Sequence, residues 1–205
     1  MSFVTGIFPT SLYVVDGDDA YQFSETEFDT LINLEFEENK FPDKCVNTVS
    51  KKILDDNDEL SKIKSWLELH VQKYATEVYN IDESINFKIT TSWGNKASRG
   101  QYHHSHHHLN SVFSGVLTLT PLNSTMFLKD DPFPQLKIDF KENNIFNSSE
   151  VLFTFEDIGT LFLFPSHLCH MVAPYEGEGF RRSLAFNTWP NDCVLFKNKI
   201  EELSF

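Results

Sequence analysis

The sequence predicts a mainly β domain with supporting helices, on three observations. Apolar residues alternate with period two after residue 84, the alternating runs are short and separated by polar turns, and a helical period is confined to the first part of the chain. Many short strands at such spacing favour a sandwich, jelly roll or small barrel, with the helices laid over one face of a sheet. A chain of 205 residues with 40% apolar residues and 20 Phe can bury a sizeable core. No period of 20–50 residues repeats and no Gly/Ser- or Pro-rich linker divides it. We therefore expect a single domain over 1–205, with 1–84 supplying a strand and helices and 85–205 the β core.

Residues 7–15 form an apolar, β-branched run ended by Asp16-Gly17-Asp18, which reads as a strand and its turn. Ser24 and Glu27 match a capping box, and Phe28, Leu31 and Ile32 give the following helix, near 25–38, its apolar face. From Asn57 onward Leu60, Ile63, Leu67, Val71, Tyr74 and Val78 recur every three or four residues, which predicts a long helix stopped near Asn80. In 85–93 Phe87, Ile89, Thr91 and Trp93 fall on one face of a strand. In 111–120 Phe113, Gly115, Leu117 and Leu119 do, and 151–155, 160–164 and 182–189 repeat the pattern.

Charge narrows the partners. Seventeen Lys and Arg against thirty Asp and Glu give a formal charge of −13, which repels phosphate backbones and anionic lipid. No nucleic-acid or membrane partner is expected. The first fifteen residues lack a basic segment and no apolar run nears the ~20 residues of a membrane span, so a cytoplasmic protein is expected. Cys45, Cys169 and Cys193 are an odd, scattered set, which suits a reducing compartment and neither a disulfide framework nor a zinc knuckle.

The densest chemical feature is 102–108, Tyr-His-His-Ser-His-His-His, with five of the eight histidines. On an extended segment His104, His106 and His108 face one way and His103 and His107 the other, so any H-x-H pair could close on a metal ion that accepts imidazole. The alternative is a surface cluster with adventitious metal affinity. Further ligands are available at His167 and His170. On the run 181–188, Arg181, Ser183, Ala185 and Asn187 share one face and Arg182, Leu184, Phe186 and Thr188 the other. An Arg aimed into a barrel mouth calls for an anion, and its planar fork fits a carboxylate with a Ser hydroxyl adding one bond. Taken singly, Arg181 and Arg182 could equally pair with surface acids.

Gly159, Leu163-Phe164-Pro165-Ser166, His170-Met171-Val172, Pro174-Tyr175, Arg181-x-Ser183 and Phe186-Asn187, preceded by His106-x-His108 and Ser114-Gly115-Val116, resemble the Fe(II)/2-oxoglutarate-dependent oxygenase superfamily. The resemblance is to a branch of 2-oxoglutarate/Fe(II) oxygenases known from bacteria and their phages, to which Ile7-Phe8-Pro9-Thr10 and Ser92-Trp93-x-Asn95 are also similar. It implies a double-stranded β-helix core, jelly-roll or cupin-like, flanked by the N-terminal helices. It implies His106, His108 and His170 as metal ligands and Arg181 with Ser183 as the holders of the distal carboxylate of 2-oxoglutarate. His108 stands where such enzymes carry a carboxylate, and 101–113 contains no Asp or Glu. A three-His site is therefore implied, with His104, His167, Asp130 and Asp131 as substitutes.

By the same resemblance the expected function is that of a dioxygenase using Fe(II), 2-oxoglutarate and O2 to hydroxylate a C–H bond, with release of succinate and CO2. Its substrate would be a peptide or protein side chain or a small metabolite. The alternative is a catalytically inactive or differently metallated cupin-like metal-binding protein. Phe113, Phe162, Phe164 and Phe186 read as core that also supplies apolar walls, and Trp93, Asn95 and Tyr102 are within reach of the mouth. A homodimer is the default assembly.

Overall fold

The computed structural model describes residues 2–191; Cys193 lies outside them. The strands are β1 (Tyr13–Val15), β2 (Val46–Asn47), β3 (Phe87–Ser98), β4 (His103–His106), β5 (Phe113–Thr118), β6 (Asn123–Leu128), β7 (Glu150–Phe155), β8 (Leu161–Pro165), β9 (His170–Val172) and β10 (Phe180–Pro190). They form two antiparallel sheets, ordered β1-β8-β5-β10-β3-β2 and β4-β9-β6-β7. This is the double-stranded β-helix, and alternation along each strand sends one set of side chains between the sheets and the other outward.

Three helices precede the long strands: α1 (Glu25–Ile32), α2 (Ile53–Asp56) and α3 (Ser61–Lys73). The capping box forms, Ser24 Oγ accepting from the Glu27 amide while Glu27 accepts from the Ser24 amide at 2.8 Å. The helix stops at Ile32 rather than near 38, because 35–37 pair instead with 47–49 in an extended segment. The long apolar stripe begins in a 3-10 turn (Asp58–Leu60), continues through α3 and ends in a π-helical turn (Tyr74–Val78). Leu60, Ile63, Leu67, Val71 and Tyr74 are fully buried. Val78 is half exposed, because the wider π turn rotates it off the stripe.

The stripe packs on the outer face of the six-stranded sheet, against Phe87, Ile89, Phe113, Leu117, Leu161, Leu163, Leu184 and Phe186. α3 also covers the start of β3, where β2 does not reach. Gln72 and Glu68 accept hydrogen bonds from the amides of Phe87 and Ile89, at 3.3 and 3.2 Å, leaving no bare edge there. The expected strand 7–15 shrinks to three residues: Phe8 adopts φ 55°, Pro9 has no amide to pair, and Ile7 and Phe8 are exposed.

A bulge decides what β3 presents. Asn187 of β10 lies opposite Thr91 but Thr188 lies opposite Ile89, so Thr90 is the extra residue. The single face expected for Phe87, Ile89, Thr91 and Trp93 is thereby split. Phe87 and Ile89 join the helix-side core, while Trp93, Asn95 and Ala97 turn toward the space between the sheets. A second, smaller core of Phe127, Phe155, Phe162 and Phe164 closes one end of that space. Among the described residues no helix is long and apolar enough to cross a membrane.

Candidate metal centre

The histidines come from β4, the turn after it, and β9. His103 lies opposite Val172 and His106 opposite His170, so three steps on β4 match two on β9 and the strand is bulged. Unbroken alternation would put residues 103 and 106 on opposite sides. The irregularity turns both inward and leaves His104 exposed, which corrects the expectation that His104 shares a side with His106 and His108. The His108 amide donates to the Ser166 carbonyl at 2.9 Å. Ser166 is itself fixed, its Oγ 2.8 Å from Ser114 Oγ, which donates to Asn187 Oδ1 at 2.7 Å.

One nitrogen from each of His106, His108 and His170 lies within 4.8 Å of the others. His106 Nδ1 is 2.8 Å from the carbonyl of His104 and His170 Nδ1 is 2.9 Å from that of Leu168. A carbonyl only accepts, so each Nδ1 carries the proton and each Nε2 turns its lone pair to the cluster. Burial, with the neighbouring imidazoles adding, pushes His170 down to about 3 and His108 to about 4. His106 is lowered by burial as well. All three are neutral at physiological pH, the state a metal requires. His104, His107, His167, Asp130 and Asp131 are exposed and none lines the chamber, so no carboxylate among the described residues joins the set.

Across the chamber β10 carries Arg181 and Ser183, both buried. Arg181 donates to the Ala173 carbonyl at 2.7 Å and lies 5.7 Å from the Tyr175 ring centroid. Its ion-pair partner is missing: among the described residues no acid pairs with it. Burial lowers its affinity for the proton, but a guanidinium stays charged, so this is a buried cation facing an apolar-walled chamber. Asn95 Nδ2 donates to Ser183 Oγ at 3.2 Å and Trp93 Nε1 to Asn95 Oδ1 at 3.1 Å, while the Trp93 ring stands 5.7 Å from that of His108. The donor set suits a first-row divalent metal, and the unpaired Arg181 with Ser183 suits a carboxylate.

Trp93 and Asn95 therefore line the chamber, whereas the Tyr102 hydroxyl points to Asp43, 3.3 Å away, and lies outside it. Phe162 and Phe164 wall the chamber, Phe113 lies in the helix-side core, and Phe186 belongs to that core while also reaching the chamber wall. Cys45, His103, Asn123 and Thr125 line the chamber without having been singled out. Only His103 carried a signal, its place in the histidine run, and strict alternation misassigned it.

Residues 91–187 match the model of a family described as "Putative 2OG-Fe(II) oxygenase". The resemblance read from the motifs is borne out over the strands that carry them. No curated protein matches. Among solved structures the chain is similar to an oxidoreductase of the 2OG-Fe(II) oxygenase family from Burkholderia pseudomallei. The TM-score is 0.58 at 12% identity, covering 86% of this chain and 83% of that one. It is similar to the non-heme alpha ketoglutarate dependent epimerase SnoN from nogalamycin biosynthesis, with TM-score 0.62, 10% identity, and 95% and 89% of the chains covered. It is also similar to HygX from Streptomyces hygroscopicus with nickel and 2-oxoglutarate bound, with TM-score 0.56, 11% identity, and 87% and 82% covered. At such identities these likenesses speak to the fold.

Proposed function

From the family match over 91–187, we propose that the chain is an Fe(II)- and 2-oxoglutarate-dependent dioxygenase hydroxylating a C–H bond of a small molecule or a peptide side chain. His106, His108 and His170 hold the metal, and Arg181 with Ser183 holds the distal carboxylate of 2-oxoglutarate. The observation that carries this reading is the opposition, across one chamber, of three neutral imidazoles and a buried guanidinium that no acid among the described residues pairs with. When bound, iron with 2-oxoglutarate and O2 supplies the oxidative chemistry, with succinate and CO2 as coproducts.

The chain's own share is placement. The carbonyls of His104 and Leu168 hold two ligand rings in one tautomer and orientation. Arg181 contributes two faces of its fork, one spent on Ala173 and the rest available to a carboxylate, and Asn95 steadies the Ser183 hydroxyl beside it. Phe162, Phe164 and Val116 exclude water from the space between. The acidic surface favours a small or peptidic substrate over a nucleic acid.

Anaerobic titration of Fe(II) and then 2-oxoglutarate tests this. The wild type should give an iron-to-ketoacid charge-transfer band and then succinate when O2 is admitted. His170→Ala should take up no iron, and Arg181→Ala should bind iron with a much weaker band. Iron uptake by the wild type with neither band nor succinate would leave a metal-binding protein and defeat the oxygenase reading.

A further inference from the structure

On the oxygenase reading 2-oxoglutarate spans the chamber from His106, His108 and His170 to Arg181 and Ser183, so the body of the organic substrate lies beyond it. A second cavity of about 520 Å³ adjoins it, walled by 37–41, 44–47 and 102–104. The two cavities share Cys45 and His103 in their walls, which places these residues at the threshold between them.

His103 is prepared for a contact it does not make within the chain. Its Nδ1 lies 3.2 Å from the His104 carbonyl, so that nitrogen carries the proton and Nε2 is a lone-pair acceptor without a partner among the described residues. The same His104 carbonyl receives His106 Nδ1, so one backbone group sets the tautomers of both rings. His103 is not one of the three residues whose ligand atoms converge. The bulge in β4 that turns His106 inward turns His103 inward too, three residues earlier.

The outer walls favour an uncharged occupant. Glu37 is paired with Lys51 at 2.8 Å, and Lys44 lies over the Phe41 ring at 5.0 Å from its centroid. A cation would approach Lys40, Lys44 and the buried Arg181 beyond them, and an anion would approach Glu38. Phe41 and Tyr102 add aromatic surface.

Resting on the oxygenase reading, we propose that the outer groove seats the organic substrate and that His103 orients it by accepting a hydrogen bond at Nε2. The substrate is then an uncharged molecule that presents a hydroxyl or amide N–H donor beside the carbon to be oxidised. His103 acts as a substrate-orienting residue and not as a fourth metal ligand.

Protein carrying 15N-labelled histidine, loaded with Zn(II) and 2-oxoglutarate, is titrated with benzyl alcohol and with benzyl methyl ether, which lacks the donor. The alcohol should move the His103 Nε2 resonance and bind about fivefold to tenfold more tightly than the ether, the effect of one hydrogen bond. His103→Gln, whose amide oxygen still accepts, should keep that preference. His103→Phe should lose it while keeping its zinc. Equal binding of alcohol and ether by the wild type, a preference that survives His103→Phe, or zinc lost from His103→Phe would each overturn the assignment. If the alcohol preference holds but wild type gives no charge-transfer band with Fe(II) and 2-oxoglutarate, the oxygenase reading falls and the His103 contact stands.

Discussion

Asn95 Nδ2 donates to Ser183 Oγ across the β3–β10 pair at 3.2 Å, and the Asn95 carbonyl is held in turn by Trp93 Nε1. The indole fixes which end of the amide faces Ser183, because a ring N–H can only donate. The line Trp93, Asn95, Ser183 thus joins the ring beside His108 to the residue beside Arg181. Replacing Asn95 by Leu should weaken 2-oxoglutarate binding about fivefold to tenfold, the scale of one lost hydrogen bond, while iron uptake is unchanged. Calorimetric titration of both components checks this, and equal losses for iron and 2-oxoglutarate would place Asn95 in general folding instead.

Proton linkage of the histidines sets a pH window. Folded values of about 3 for His170 and about 4 for His108 lie below the ~6.5 of an unfolded histidine. The unfolded chain therefore binds more protons between the two, and the metal-free protein should lose stability as pH falls from about 6.5 toward 4. Melting temperatures of metal-free protein at descending pH read this directly. His170→Phe should flatten the slope, and a wild-type slope of opposite sign would contradict the buried, neutral cluster.

His108→Asp should change the metal preference. It would turn an all-imidazole donor set into one with an anionic oxygen, which favours harder ions. Mn(II) affinity should rise relative to that for Ni(II) in competition titrations. An unchanged ratio would mean that His108 does not ligate.

Gly115→Ala probes the core under the site. A Cβ there would stand 2.3 Å from Phe186 Cζ and 2.6 Å from Leu163 Cδ2. Both rings and branches are fully buried, so neither has free space to enter. Overpacking of this kind costs ~1–3 kcal/mol, and denaturant unfolding should show that loss. A stability equal to wild type would mean that the outer core of the six-stranded sheet is looser than its packing indicates.

Where the chain is regular, its elements were legible. The Ser24/Glu27 capping box, the stripe from Leu60 to Tyr74, and the faces of β5 and β10 follow from local hydrogen bonding and from periods of 3.6 and 2. Arg181 and Ser183 fall on one face of β10 for that reason. Misread features lie where an irregularity resets the period. Thr90 is one, sending Trp93 and Asn95 inward; the bulge between His103 and His106 is another, and the π turn that exposes Val78 is a third.

The amino-acid order specifies the mainly β class, the N-terminal helices, and a succession of histidines, arginine and serine that resembles an oxygenase. Local preferences and residue chemistry are enough for those. The folded arrangement is what brings His106, His108 and His170 together, buries Arg181 with no paired acid among the described residues, and sets His103 between the two cavities. Those facts depend on which strands pair and where a bulge interrupts them. One inserted residue reverses every later side chain on a strand, and that choice is made by packing between sheets, which no local pattern records.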